Sequence, residues 1–194
     1  MLARARASIA AAPELAKSVE VVAADMATFD LGETFDLIVV AFNSLAYLTD
    51  LDGQLACLKN VRAHLSPKGR FGFDLVVPQI SWLAISEKTA PHRLEIDYVN
   101  PTPDVTRFLR FVTERYDPRR QVEDDLYTYE ITLANGEVVR RTSDLAWSMI
   151  FPQQLELLLR STGFRVVERF GDYARTPFGR ASRQYVWLAE PATG

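Results

Sequence analysis

The sequence has 194 residues, 48% hydrophobic and 24% charged, a balance that excludes a disordered, collagenous or coiled-coil chain and suits a single domain over 1–194. Its 22 basic and 25 acidic residues leave a net charge of −3 with no basic cluster, which speaks against nucleic acid as a partner, and no apolar run approaches the roughly 18 residues that a membrane helix needs. Cys57 is the only cysteine, so no internal disulfide can form and a reducing, cytoplasmic setting is expected; with two histidines, His64 and His92, it is too little for a structural zinc site.

Met1-Leu2-Ala3-Arg4-Ala5-Arg6-Ala7 starts in full helical propensity, with no N-cap and no strand before it. The apolar stretch 9–12 is too short for a signal peptide and meets Pro13 at once. An Arg-rich, acid-poor start also fits an organellar transit peptide, but a reading frame that begins inside a helix is the simpler account. Residues 19–25, VEVVAAD, predict a short strand ending in a carboxylate. Residues 35–42, FDLIVVAF, form a continuous apolar run rich in β-branched side chains, as a parallel strand covered on both faces requires. Leu51, Leu55, Leu58, Val61 and Leu65 then recur at helical spacing, and Ser66-Pro67-Lys68-Gly69 is expected to end that helix. Residues 70–77 read as the next strand, so strand, helix and strand imply a right-handed crossover in a parallel sheet.

From 93 to 147 alternation replaces helical spacing. Asp125, Tyr127, Tyr129, Ile131 and Leu133 fall on one face, and Leu126, Thr128, Glu130 and Thr132 on the other. Asn135-Gly136 is a hairpin signal and Asp117-Pro118-Arg119-Arg120 a second turn, which predicts three or four antiparallel strands inserted between α/β units. Phe151-Pro152 opens a helix with Leu155, Leu158 and Leu159 on its buried face and Gly163 closing it. Residues 164–168 and 183–189 make the last two strands.

Asp25-Met26 sits where a predicted parallel strand meets a loop, on the edge where open α/β sheets bind ligands. A carboxylate there accepts from an amine or a ribose hydroxyl, or is a solvated loop residue. Phe42-Asn43-Ser44, with Tyr47 three residues on, follows the most apolar strand, and this cluster of polar side chains suits a polar ligand or an ordinary turn.

In order and combination these segments resemble the class I S-adenosylmethionine-dependent methyltransferases. VEVVAADMATFD is similar to that family's third strand and adenine-binding loop, and FDLIVVAFNSLAYLTD to its fourth strand beside the sulfonium. LKNVRAHLSPKGRFGFDL resembles the following helix, turn and fifth strand, and LELLLRSTGFRVVERFGDY the last helix leading into the final strands. The resemblance covers about two-thirds of the chain and implies an α/β, Rossmann-like methyltransferase sheet with an inserted antiparallel β-sheet at 93–147. It also implies S-adenosylmethionine as cofactor and a small molecule as methyl acceptor. Asp25 would take the adenine amine and Met26 the adenine edge; Phe42, Asn43 and Ser44 would line the sulfonium end, with Tyr47 over donor or acceptor.

The family opens with a strand, a glycine-rich loop, a helix and a second strand ending in an acid for the ribose. Nine glycines is a low number for this length, and none belongs to a GxGxxG or GxxxxGK loop. The expectation is an N-terminally incomplete enzyme, inactive on its own and a weak binder of the cofactor, with the non-catalytic scaffold as the alternative. Another nucleotide-dependent α/β enzyme, such as a reductase, fits less well. No catalytic residue stands out. Tyr47, His92, Tyr98, Asp172 and Tyr173 are the candidates should the acceptor need a base, with Tyr98, Arg141 and Tyr173 as acceptor contacts. Several have a plainer reading: His92 on the surface, Gly171-Asp172-Tyr173 as a turn and Arg140-Arg141 on a solvated strand face; Trp147 and Tyr127, which could stack on the acceptor, read more simply as core of the inserted sheet. That sheet is expected to act as a lid or as a homodimer surface.

Overall fold

The computed structural model describes residues 2–12, 14 and 16–192; Met1 and Pro13, named above at the start of the first helix and the end of the apolar stretch, lie outside them. The Ala- and Arg-rich start forms α1 (Leu2–Ala10), which buries no side chain. Residues 19–25 do not form the expected strand. A strand exists only against a neighbour's N–H and C=O groups, and among the described residues none runs beside this segment.

The next strand, β1 (Phe35–Val40), does form, but it is not covered on both faces. Ile38 and Val40 pack on the core, while Leu37 and Val39 stay 58% and 57% exposed beneath the loop that precedes the strand. It also ends two residues early, where Phe42 and Asn43 turn left-handed and a single 3-10 turn follows at Ser44–Tyr47. The Asp50 side chain then caps α2 (Leu51–Ala63), accepting from the Gly53 amide at 2.7 Å. His64 closes that helix, so Leu65 is not its last apolar residue but the first of β2 (Leu65–Val76).

Leu65 pairs with Phe35 and Arg70 with Leu37, so the expected turn 66–69 survives as a bulge inside the strand. Gly69 is needed there, since a Cβ would lie 2.8 Å from the Phe35 carbonyl oxygen. A helix absent from the sequence reading, α3 (Ile80–Thr89), comes next, with Leu83 and Ser86 buried.

The alternating region folds as expected, to within a residue at each end. Strands β3 (His92–Thr102), β4 (Val105–Asp117), β5 (Val122–Leu133) and β6 (Val138–Ser148) form an antiparallel meander in chain order. Asp117 Oδ1 accepts from the Arg119 and Arg120 amides in one turn, and Gly136 takes a φ of 85° in another. Pro152 opens α4 (Pro152–Ser161) over buried Leu155, Leu158 and Leu159, and Gly163 leaves it at a φ of 82°. The chain closes with β7 (Phe164–Phe170) and β8 (Gln184–Pro191).

The first sheet has the order β1-β2-β8-β7, parallel between β1 and β2 and antiparallel elsewhere. Its core joins Phe71, Phe73 and Leu75 of β2 and Tyr185, Trp187 and Ala189 of β8 to leucines of α2 and α4. The second sheet meets the elements that pack on the first at Ser148, whose hydroxyl donates to the Leu48 carbonyl at 3.0 Å and accepts from Gln54 Nε2 of α2 at 3.1 Å.

Candidate functional site

The loop after residue 24 is held in place by its own carboxylate and by α2. Asp25 Oδ1 accepts from the Ala27 amide at 2.7 Å, Asn60 Nδ2 donates to the Ala27 carbonyl at 2.8 Å, and His64 Nε2 accepts from the Leu31 amide at 3.1 Å. Between this loop and the uncovered face of β1 lies a cavity of about 440 Å³, lined by Asp25, Met26, Phe29, Leu37, Ile38 and Val39 among others. Its walls are apolar and Asp25 is the charged group in its lining. Asp25 is exposed, and Oδ1 carries its bond to the loop, so Oδ2 is open to solvent or to a ligand. Such a cleft suits a flat heteroaromatic ring that carries an amine. Met26 lines this cavity and also packs against the core. Burial, and after it the Asp25 charge, push the nearby Cys57 thiol up to about 11, so that thiol is no nucleophile.

At the carboxyl end of β1 a second group gathers around Asp74, an acid on β2 that the sequence reading did not single out. Asp74 is 8% exposed, and its two oxygens accept from the amides of Phe42 at 2.7 Å and Asn43 at 3.2 Å. The Asn43 side chain accepts from the Val76 amide at 3.0 Å, and the Ser44 hydroxyl donates to the Ala41 carbonyl. Both polar side chains thus stabilise the turn itself. Phe42 and Tyr47, the other two residues expected here, are exposed. Tyr173 lies beside the same carboxylate: partial burial, and then Asp74, raise its pKa. Asp172 accepts from the Thr176 amide at 3.0 Å, a bond that holds its carboxyl below the usual range, as a turn residue behaves.

The remaining candidates are not brought to this end. Arg141 lies seven residues back along β6 from Ser148, roughly 23 Å for an extended strand. Tyr98 pairs with Phe108 and through it with Ile131, roughly 30 Å along β5 from the joint between the sheets. Arg140 pairs with Glu130 at 3.3 Å, and His92 stacks on Phe111 in an exposed position. Tyr127 and Trp147 both donate to Asp125 Oδ2, at 3.0 and 3.1 Å.

Asp125 belongs to a buried acidic group beneath α3 that sequence reasoning also missed. The oxygens of Glu114, Glu123 and Asp125 lie within 4.8 Å of one another. Arg93 pairs with Glu114 through two bonds of 2.9 Å, and Ser86 Oγ donates to Glu123 at 2.9 Å. Burial pushes the Glu123 carboxyl up to about 7 and that of Asp125 up to about 6. Alternation shows which face these acids share. It does not show that a helix covers that face.

No family model and no curated protein matches the sequence. Among solved structures, the chain is similar to the CcbJ methyltransferase from Streptomyces caelestis, at 23% identity and a TM-score of 0.78 over 99% of this chain and 71% of that one. It is also similar to an S-adenosylmethionine-dependent methyltransferase from Clostridium acetobutylicum, at 13% identity and a TM-score of 0.74 over 99% and 73% of the two chains. A third likeness is to S-adenosylmethionine-bound CalS10, an amino pentose methyltransferase from Micromonospora echinaspora, at 18% identity and a TM-score of 0.64 over 96% and 71%. These likenesses show the fold. The chain shares the Rossmann-like fold of these methyltransferases, and a second, antiparallel sheet accompanies it.

Proposed function

We propose that the chain takes part in S-adenosylmethionine-dependent methyl transfer to a small-molecule acceptor. The observation that carries this reading is the cavity between Asp25 and Val39, whose wall on β1 leads in the chain to the exposed Phe42, two residues past the strand's end. In this reading Asp25 Oδ2 accepts from the adenine amine, and Met26 with the apolar wall of β1 faces the ring. Phe42, Asn43, Ser44 and Tyr47 surround the sulfonium end, Asn43 and Ser44 by shaping the turn. S-adenosylmethionine supplies, when bound, a methyl group that is already activated. What the residues add is proximity and alignment, up to about 7–11 kcal/mol of the barrier. Tyr173, its phenol raised above the ordinary value, stays protonated at neutral pH with its O–H turned to Asp74, and its oxygen accepts a hydrogen bond from the acceptor. Tyr98 and Arg141 serve the acceptor only if a second copy brings them in, through a homodimer built on the exposed outer strand β3. Sedimentation equilibrium checks that arrangement, and a monomer at every concentration refutes it.

The cofactor reading is tested by titrating the 15N-labelled chain with S-adenosylhomocysteine and following amide shifts, a readout that registers weak binding as well as tight. Amides at 24–29 and 41–47 are expected to move while those at 96–101 and 139–143 stay. A spectrum that does not respond overturns the enzyme reading in favour of a non-catalytic scaffold.

A further inference from the structure

Phe42 and Asn43 are successive left-handed residues, with φ of 57° and 60°, and neither is glycine. Asparagine tolerates that conformation, but for a bulky aromatic residue it is a genuine outlier. Strain of this kind persists only where its surroundings over-determine it. Here one side chain, Asp74, bonds to both strained amides. Asp74 stands on β2 next to Phe73, the residue that pairs with Val40 at the end of β1. Its buried carboxylate takes one N–H from each strained residue, 2.7 and 3.2 Å away, as successive amides of a turn bind an anion. Asn43 in return accepts from the Val76 amide, which ties the turn to the end of β2.

The strain does nothing for the fold. A glycine at position 42 would keep the same N–H bonded to Asp74 and would adopt the left-handed conformation without steric strain, at a smaller cost in chain entropy. The side chain gains little by burial, since Phe42 is 85% exposed. An aromatic ring held out in solvent on a strained turn is explained by what it touches when a ligand is present.

We infer that Asp74 is a positioning residue for the methyl-donor site: it holds the Phe42–Asn43 turn in its strained form, so that the Phe42 ring covers the reacting end of the ligand, and it orients Tyr173 beside it. The inference rests on the methyl-donor reading above.

The test uses the full chain, S-adenosylhomocysteine as probe, and the variants Asp74→Asn, Asp74→Ala and Phe42→Gly. Asp74→Asn, the isosteric variant, is expected to move the Phe42 and Asn43 amide protons upfield while the core spectrum is kept, because one amide then meets a neutral acceptor and the other an NH2 that cannot accept. Asp74→Ala is expected to weaken S-adenosylhomocysteine at least tenfold; Asp74→Asn shows the same direction if the alanine variant does not fold. Phe42→Gly keeps both downfield amides, melts about 2–4 °C higher as its strain is released, and yet loses affinity. A lower melting temperature in Phe42→Gly, or unchanged affinity in both Asp74 variants, overturns the inference and leaves the methyl-donor reading standing. A wild-type chain that ignores S-adenosylhomocysteine while both turn signatures appear overturns the methyl-donor reading and this inference with it.

Discussion

Asp25 commits one carboxylate oxygen to the Ala27 amide and leaves the other at the cavity, whereas Asp74 gives both oxygens to backbone amides of the turn across the sheet. The same group therefore has two uses, set by what surrounds it. For Asp25 the consequence is a sharp expectation. Asp25→Asn keeps an oxygen for the Ala27 amide but presents an NH2 to the ligand's amine, so the loop holds while affinity falls. Losing one charged acceptor costs about 1.5–3 kcal/mol, roughly ten- to a hundredfold in the S-adenosylhomocysteine titration. Equal affinity in Asp25→Asn and wild type would remove the adenine from this site. Asp25 was legible in the sequence because it ends an apolar segment. Asp74 carried a signal too, a lone acid within the apolar run after Arg70, and a buried carboxylate has to find donors. Its donors lie 31 and 32 residues earlier in the chain, and no local pattern names them.

At the scale of elements, the meander was legible because alternation and turn residues are local signals. The segment 19–25 has the right side chains for a strand, but a ladder depends on a neighbour, which composition does not report. Helix α3 escaped because its periodicity is blurred: Ile80 and Ile85 are exposed while Ser86 is buried. That buried serine marks where α3 closes over Glu123. The groups facing Glu123 there are Ser86 and Trp82 of α3, Asp125 of β5, and Glu114 of β4 with its partner Arg93 of β3. Glu123 is raised from 4.5 to about 7, so above pH 4.5 the folded chain keeps a proton that the unfolded chain has released. Its contribution to stability is complete below 4.5 and is lost as pH rises through about 7, on the order of 3 kcal/mol if the whole shift is expressed. Asp125, raised to about 6, acts in the same direction, and its charge is part of what raises Glu123, so the two do not add. Urea unfolding between pH 5 and 8 is expected to show this decline, and Glu123→Gln, a mimic of the protonated acid, to flatten it and to exceed wild type at pH 8. A variant that falls as steeply as wild type would place the pH dependence elsewhere.

Across the whole molecule, two bodies of unequal depth share one joint. The main core draws on β2, β8, α2 and α4, and no fully buried member of it comes from β3, β4 or β5. The meander has its own small interior beneath α3, around Leu83, Val112 and Val122. Its outer strand β3 is exposed at ten of its eleven positions, so little apolar contact holds those ladder bonds closed. The joint combines polar contacts among Leu48, Gln54 and Ser148 with Trp147 at the end of β6, which packs against the main core. Local opening follows buried contact, and a strand with few such contacts opens at a lower free energy than the global one. Native-state hydrogen exchange is therefore expected to rank the molecule. The amides of β2 and β8, flanked by strands on both sides and packed by α2 and α4, exchange last and through global unfolding. Those of β4 and β5 beneath α3 come before them, and the amides of β3 that bond to β4 come first. Raising urea should then shift the β2 and β8 exchange rates steeply and the β3 rates little, since opening β3 exposes little surface. This ranking is also what an inserted region at 93–147 requires, namely a sheet that opens without unfolding its host. Amides of β3 as protected and as urea-sensitive as those of β2 would mean that both sheets unfold as one unit, and the meander would then be a part of the host's own core.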